Sequence, residues 1–264
     1  MFISSRNLSI KPVARPTMKI STAFVSSLLI RMISGLSTNI KLNDPTLLHI
    51  PDTLHQSNKG RETLEVQNPA ASINHVEDGT AVIALLNSHN KQDAKKAIEA
   101  SSAAFQKWSR KTTASQRSKI LSSWSNLIQE NEADIAKIMT LESGKPMLES
   151  LGEINYGRSF LDFFASEALR PTNSGGGTIW PTPFALADGS PKGKVMAVNE
   201  PVGVTAHITP WNFPMAMITR KAAPALAAGC TVVLKPSELT PLTAIALYQL
   251  GLRAGIPKDV FQLV

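Results

Sequence analysis

The sequence predicts an α/β fold, a doubly wound parallel sheet that stops after its third strand. Three observations carry that expectation. From Lys194 onward, short β-branched runs alternate with apolar stretches of helical length. Prolines stand where those helices begin, and glycines where they end. Before Lys194 the apolar residues repeat at helical spacing over about eighty residues.

The chain has 264 residues, 43% of them hydrophobic, enough for one sizeable core or two small domains. No apolar run approaches the ~20 residues of a membrane span, so no membrane partner is expected. The formal net charge is +7. Six bases (Arg6, Lys11, Arg15, Lys19, Arg31 and Lys41) precede the first acid, Asp44, and the balance after them is only +1. The body is nearly neutral, which argues against nucleic acid as a partner.

Residues 1–60 read as a transit peptide and polar lead-in, disordered and mitochondrial in type: rich in Ser, Arg and Lys, and empty of acids before Asp44. Lys19 to Leu36 suits an amphipathic helix. A secretory signal is the rival, with Ala23 to Ile30 as its apolar stretch, but Ser26 and Ser27 break it and Arg31 follows. Starts at Met18 or Met32 would give a cytoplasmic form.

Residues 61–193 form a mixed segment. Thr63 to Val66 and Ala81 to Leu86 are β-prone, separated by Asn68-Pro69 and Asp78-Gly79 turn signals, as in a hairpin or meander. Asp93 to Trp108 and Ile120 to Ile128 then suit two amphipathic helices. Asn131 and Asp134 suggest a cap opening a third, closed by Gly144 and Pro146, and a fourth runs from Met147 to about Leu169. Residues 171–193, rich in Pro, Gly and Ser, read as a flexible surface loop. Gly175-Gly176-Gly177 precedes no helix and is not a phosphate loop.

Residues 194–264 read as β-α-β-α-β, with strands at Val195–Val198 and Val202–Thr209, a helix from Pro214 to Gly229, a strand at Thr231–Leu234, a helix from Thr240-Pro241 to Gly255, and a last strand at Val260–Val264. Thr240 is the expected cap of the second helix.

Two motifs fall at the carboxyl edge of this sheet, where doubly wound folds bind ligands. In Thr209-Pro210-Trp211-Asn212-Phe213-Pro214, Asn212 is either a rigidly held amide donor for a developing oxyanion or part of a Pro-Trp turn packed for structure. In Lys235-Pro236-Ser237-Glu238, the Lys and Glu either grip ribose hydroxyls or belong to an ordinary charged loop. The lone cysteine, Cys230, stands between a helix end and an apolar strand and reads as a small buried hydrophobe. With one cysteine there is neither a disulfide nor a Cys-based zinc site, and no metal is expected. His207, in a strand with no acidic neighbour, reads as a packed residue.

Together, Ile208 to Pro214, Ala225 to Cys230 and Leu234 to Glu238 resemble the aldehyde dehydrogenase superfamily, as does Leu141-Glu142-Ser143-Gly144-Lys145-Pro146 upstream. The resemblance covers about residues 63–264 and implies a Rossmann-like cofactor-binding core. It implies that Asn212 is the oxyanion donor, that Ile208, Thr209, Pro210 and Trp211 line the cofactor, and that Lys235 and Glu238, with Pro236 and Ser237 beside them, hold the adenosine ribose. The implied cofactor is NAD, with NADP possible; an acid at Glu238 favours a free 2′-hydroxyl. A small aldehyde would be the substrate and a homo-oligomer the full-length form.

Met217-Ile218-Thr219-Arg220-Lys221 resembles the succinate-semialdehyde dehydrogenases within the superfamily. That implies a meeting of Arg220 with the distal carboxylate of succinate semialdehyde, oxidised to succinate in 4-aminobutyrate breakdown. On the residues alone, a solvated basic pair at Arg220-Lys221 is the competing reading. The resemblance places the nucleophilic Cys and the general-base Glu after Val264. The sequence is then expected to be a fragment of a normal enzyme. Half of a split enzyme and a non-catalytic chain that binds other subunits are the alternatives.

Overall fold

A computed structural model describes residues 36–38, 40–49, 62–73, 82–170, 177–190 and 192–264. The expected transit peptide and the Asp78-Gly79 turn lie outside the described residues. So does the expected Lys19–Leu36 helix, save Leu36 itself, which opens a strand.

The first sheet is antiparallel. Strands β1 (Leu36–Thr38), β2 (Thr63–Gln67) and β3 (Val82–Asn87) stand in the order β1-β3-β2, so the two β-prone runs pair with each other as expected. A short helix α1 (Pro69–Ile73) lies between β2 and β3. The lead-in is ordered sooner than the disordered stretch expected to residue 60. A 3-10 turn at Pro45–Leu48 buries Leu47 and Leu48 in the core, and β1 pairs with β3. Two apolar side chains removed from water are reason enough to fix this segment, and the carboxylate of Asp134 anchors it by accepting the backbone N–H groups of Asn43 and Asp44 at 3.0 and 2.7 Å.

Four helices follow: α2 (Lys91–Lys111), α3 (Ala114–Glu130), α4 (Glu132–Ser143) and α5 (Met147–Glu167). α2 and α3 open with capping boxes, Asn90 with Asp93 and Thr113 with Gln116, in which side chains at both positions satisfy backbone donors that the helix leaves unpaired. Asn131 does not cap α4 through its side chain. Its amide donates instead to Leu127 O, and Asp134 is spent on the lead-in. Gly144 closes α4 with φ +74°, and a Cβ there would sit 2.8 Å from the Pro69 ring, so both backbone and space require glycine.

The stretch expected as a flexible loop contains a strand, β4 (Gly177–Pro181), paired antiparallel with β5 (Lys194–Val198). Thr178, Ile179 and Trp180 are good strand formers, and at Gly177 any Cβ would collide with Ala197 O at 1.9 Å. The parallel sheet therefore begins at β6 (Val204–Ile208), not at Lys194: β5 belongs to this separate ribbon.

The sheet itself runs β6-β7-β8, all parallel, with β7 (Thr231–Lys235) central and β8 (Phe261–Leu263) at one edge. Helices α6 (Ala216–Ala228) and α7 (Pro241–Arg253) form the crossovers. α2 packs against all three strands, with Thr231 Oγ1 donating to Ser101 O at 3.2 Å. α6 and α7 cover the other face and are themselves covered by α3, α4 and α5. The core closes between these layers: the Trp124 ring lies 5.6 Å from that of Phe261, and Trp124 Nε1 donates to Leu247 O at 3.1 Å. Among the described residues, no helix is long and apolar enough to cross a membrane.

Candidate active site

The two sheet-edge motifs meet. The β6–β7 register sets Ile208 opposite Lys235, and the Thr209 N–H donates to Lys235 O at 3.2 Å, extending the ladder by one bond. Thr209 is buried, whereas Ile208, Pro210 and Trp211 stand exposed beyond the strand end. Ile208 is 74% exposed, at the strand end nearest the Lys235 motif.

On the neighbouring strand, Lys235 Nζ donates to Glu238 Oε2 and to Pro236 O, both at 3.1 Å. The backbone N–H of Glu238, and then Lys235, hold the Glu238 carboxyl below its ordinary range, so it is ionised at neutral pH. Pro236 and Ser237 are buried beneath, with Ser237 Oγ accepting the Leu239 N–H at 3.2 Å. These four residues form one wall of a cavity of about 350 Å³ whose other walls include Leu86, Asn90, Ile245 and Leu263. Apolar walls with one Lys and one Glu at the rim suit a nucleoside, which presents a flat ring and a pair of hydroxyls.

Asn212 is exposed in the loop between β6 and α6, and its side-chain amide forms no hydrogen bond among the described residues. That loop borders a second cleft of about 350 Å³, lined by Lys145, Glu149, Trp211, Asn212 and Phe213 among others. Arg220 lies one helical turn into α6. Its guanidinium is exposed, 5.9 Å from the Phe160 ring of α5, with exposed Tyr156 and Phe163 on the same helix. A planar donor on an aromatic surface suits a small anion with an apolar stem. His207 is half-buried. Burial, then Lys221, pushes its imidazole below the ordinary range, and among the described residues Nδ1 has no hydrogen-bond partner. Cys230 is buried, as its neighbours suggest.

The sequence reading missed the residues that fix these loops. Glu153 Oε1 accepts the N–H groups of Met215 and Ala216 at 2.8 and 3.1 Å, which closes the start of α6. Lys145 Nζ is bonded to Glu153 Oε2 and donates to Asn212 O at 3.1 Å. Glu142 does the same service for α7: its carboxylate accepts the N–H groups of Leu242 and Thr243 and the Thr243 hydroxyl. Thr240, the expected cap, makes no such bond, and its hydroxyl is buried without a partner among the described residues. A signal was present at Glu153. It falls among Ser150, Ile154, Gly157 and Leu161, the buried stripe of α5, where an acid needs a partner. Among the described residues, no group of His, Cys, Asp and Glu is arranged to hold a metal.

The aldehyde dehydrogenase family model matches residues 57–264. The chain is 43% identical over 229 residues to succinate-semialdehyde dehydrogenase [NADP(+)] GabD of Escherichia coli K12, covering 85% of this chain and 43% of that protein. It is 46% identical over 203 residues to the mitochondrial succinate-semialdehyde dehydrogenase of Oryza sativa subsp. japonica, covering 77% and 35%. It is also 45% identical over 228 residues to 3-sulfolactaldehyde dehydrogenase of Pseudomonas putida, covering 85% and 43%. Among solved structures, succinate-semialdehyde dehydrogenase from Burkholderia pseudomallei matches with a TM-score of 0.74 at 39% identity, over 85% of this chain and 43% of that one. Betaine aldehyde dehydrogenase from Staphylococcus aureus, in complex with NAD+, matches with a TM-score of 0.67 at 34% identity, over 77% and 38%. Fold and site thus define an α/β portion built on a parallel sheet, with two clefts at its carboxyl edge. The chain belongs to the aldehyde dehydrogenase family, and it spans less than half the length of these relatives.

Proposed function

We propose that this chain forms the cofactor- and substrate-facing portion of an NAD(P)-dependent dehydrogenase for aldehydes with an anionic far end, succinate semialdehyde first. The observation that carries the reading is Arg220: an exposed guanidinium beside an aromatic ring, on the helix α6 (Ala216–Ala228) that follows the Asn212 loop. The names of two kinds of relative support it, because succinate semialdehyde and sulfolactaldehyde both pair an aldehyde with an acid group.

The residues fit a nicotinamide dinucleotide. Lys235 and Glu238 would hold the adenosine ribose at the mouth of the cavity that they line, over Pro236 and Ser237, and Ile208 to Trp211 would lie along the dinucleotide past the end of β6. When bound, that cofactor supplies the hydride acceptor. The Asn212 amide N–H would donate to the aldehyde oxygen as negative charge develops on it. Arg220 would hold the carboxylate and so set which end of the substrate faces Asn212. Oxidation of succinate semialdehyde is the step that joins 4-aminobutyrate breakdown to succinate.

The test is steady-state turnover of succinate semialdehyde and of butanal by the native gene product. Arg220→Ala should raise KM for succinate semialdehyde by a loss of about 2–4 kcal/mol and leave butanal nearly unchanged. Equal effects on both aldehydes would sink the carboxylate role. We further propose a mitochondrial location, supported by the acid-free basic start and by the rice relative's mitochondrial name. Fusing residues 1–35 to a fluorescent protein tests it, and a diffuse cytoplasmic signal would count against it.

A further inference from the structure

We infer that Lys145 and Glu153 are a positioning pair that sets the Asn212 loop, an inference that rests on the reading of Asn212 as the oxyanion donor. The two side chains are 13% and 1% exposed, and burying an ion pair costs desolvation that a merely stabilising contact rarely returns. Its value here is geometric. Lys145 Nζ reaches the Asn212 carbonyl oxygen at 3.1 Å and lies 5.0 Å from the Phe213 ring centre. Glu153 Oε2 holds the same ammonium, while Oε1 takes the next two free amides, Met215 at 2.8 Å and Ala216 at 3.1 Å.

The peptide at Asn212 is therefore fixed on one side by the cation and, three residues on, by the anion. Both come from the start of α5 and the turn before it, more than fifty residues earlier in the chain. Pro214 stiffens the span between the two anchors by fixing its own φ. An oxyanion donor works only if its N–H is aimed before charge develops, and neither Lys145 nor Glu153 need touch a substrate to achieve this.

The pair is tested by NMR on the full 264-residue chain, reading the Asn212 side-chain amide cross-peaks and hydrogen exchange at Met215 and Ala216. Lys145→Met should shift and broaden the Asn212 cross-peaks, and Lys145→Arg should restore them by donating again to the carbonyl. Glu153→Ala should speed exchange at Met215 and Ala216 by on the order of tenfold, with the Glu142-capped amides of Leu242 and Thr243 unchanged. If Glu153→Ala does not fold, the Lys145 variants decide. Unmoved Asn212 cross-peaks in Lys145→Met, no rescue by Lys145→Arg, or faster exchange spread evenly over α6 and α7 would each overturn the inference. Activity is not read, so a failure of the oxyanion role itself shows separately, as unchanged turnover in Asn212→Ala.

Discussion

Glu142 Oε1 accepts the backbone N–H of Thr243 at 2.9 Å, so a carboxylate on one helix caps another that lies a hundred residues later in the chain. Burial pushes this carboxyl up from 4.5 to about 8, against bonds from Thr243 and Leu242 that favour the ionised form. A raised carboxylate has a definite sign. Below pH 4.5 it is protonated in folded and unfolded chain alike, and its contribution is fully present. Between 4.5 and 8 the unfolded chain releases the proton and the folded one keeps it, so stability falls as pH rises. Chemical denaturation at a series of pH values should show a slope approaching 1.4 kcal/mol per unit from this group. Glu142→Gln replaces one acceptor by a donor. It should be about 1–2 kcal/mol less stable near pH 5 and show no slope from this position, so the two curves should meet roughly one to two pH units higher and cross, with the wild type the less stable above that point.

Arg117 stands at the other end of α6. Its Nε donates to Ala227 O at 2.9 Å and one terminal nitrogen to Thr112 O at 2.7 Å, which joins the start of α3 to the last turn of α6. A cation at a helix C-terminus also meets the negative end of the helix dipole. Arg117→Met keeps much of the packing volume but leaves both carbonyls unpaired. It should cost about 2–3 kcal/mol, or roughly 5–10 °C in Tm. Arg117→Lys should rescue little, because one ammonium lacks the fork that spans two acceptors. A thermal scan in which Lys matches Arg would show that charge alone matters.

What was legible in the sequence follows from the range of the forces involved. Helix and strand periods, the αL caps at Gly144 and Gly229, and the two sheet-edge motifs depend on residues within one element, so spacing reveals them. The cap of α7 was misassigned because the local residue Thr240 was expected where Glu142 reaches in from elsewhere, and the cap that Glu153 supplies to α6 was missed for the same reason. The β4–β5 ribbon was missed because Pro and Gly read as loop, while the pairing that organises Gly177 to Pro181 comes from Lys194 to Val198. The ordered lead-in was missed for a similar reason: Leu47 and Leu48 look unremarkable until Asp134 and the core supply their partners. The motif left Asn212 with two open readings, and resemblance chose between them; the carboxylate role of Arg220 came through resemblance alone, since one exposed guanidinium carries little signal by itself.

The lead-in gives a third prediction. Asp134 is buried and takes three bonds from Asn43 and Asp44, and Arg253 holds Asp44 from α7 at 2.6 Å. Asp134→Ala should release residues 40–49 while the rest of the fold persists. Limited proteolysis should then cut in that stretch well before the helices, and Asp134→Asn, which keeps one acceptor oxygen, should fall between. Cleavage rates equal to wild type in Asp134→Ala would mean that burial of Leu47 and Leu48, with the Arg253 bond to Asp44, holds the segment without Asp134.

Lys235 and Glu238 give the last, and it separates a structural pair from a binding one. Their side chains are 52% and 64% exposed, so as an ion pair they contribute little, and Lys235→Ala or Glu238→Ala should change stability by less than about 0.5 kcal/mol. Ligand binding should respond quite differently. If Glu238 accepts the ribose 2′-hydroxyl, calorimetry should find 5′-AMP weakened by on the order of tenfold in Glu238→Ala. The same change removes an anion from the place where a 2′-phosphate would sit, so 2′,5′-ADP should bind more tightly than to wild type. Opposite signs for the two nucleotides would mark Glu238 as the group that sets NAD against NADP. Losses of the same sign for both would place it as a general wall of the cavity, with the cofactor choice made by other residues.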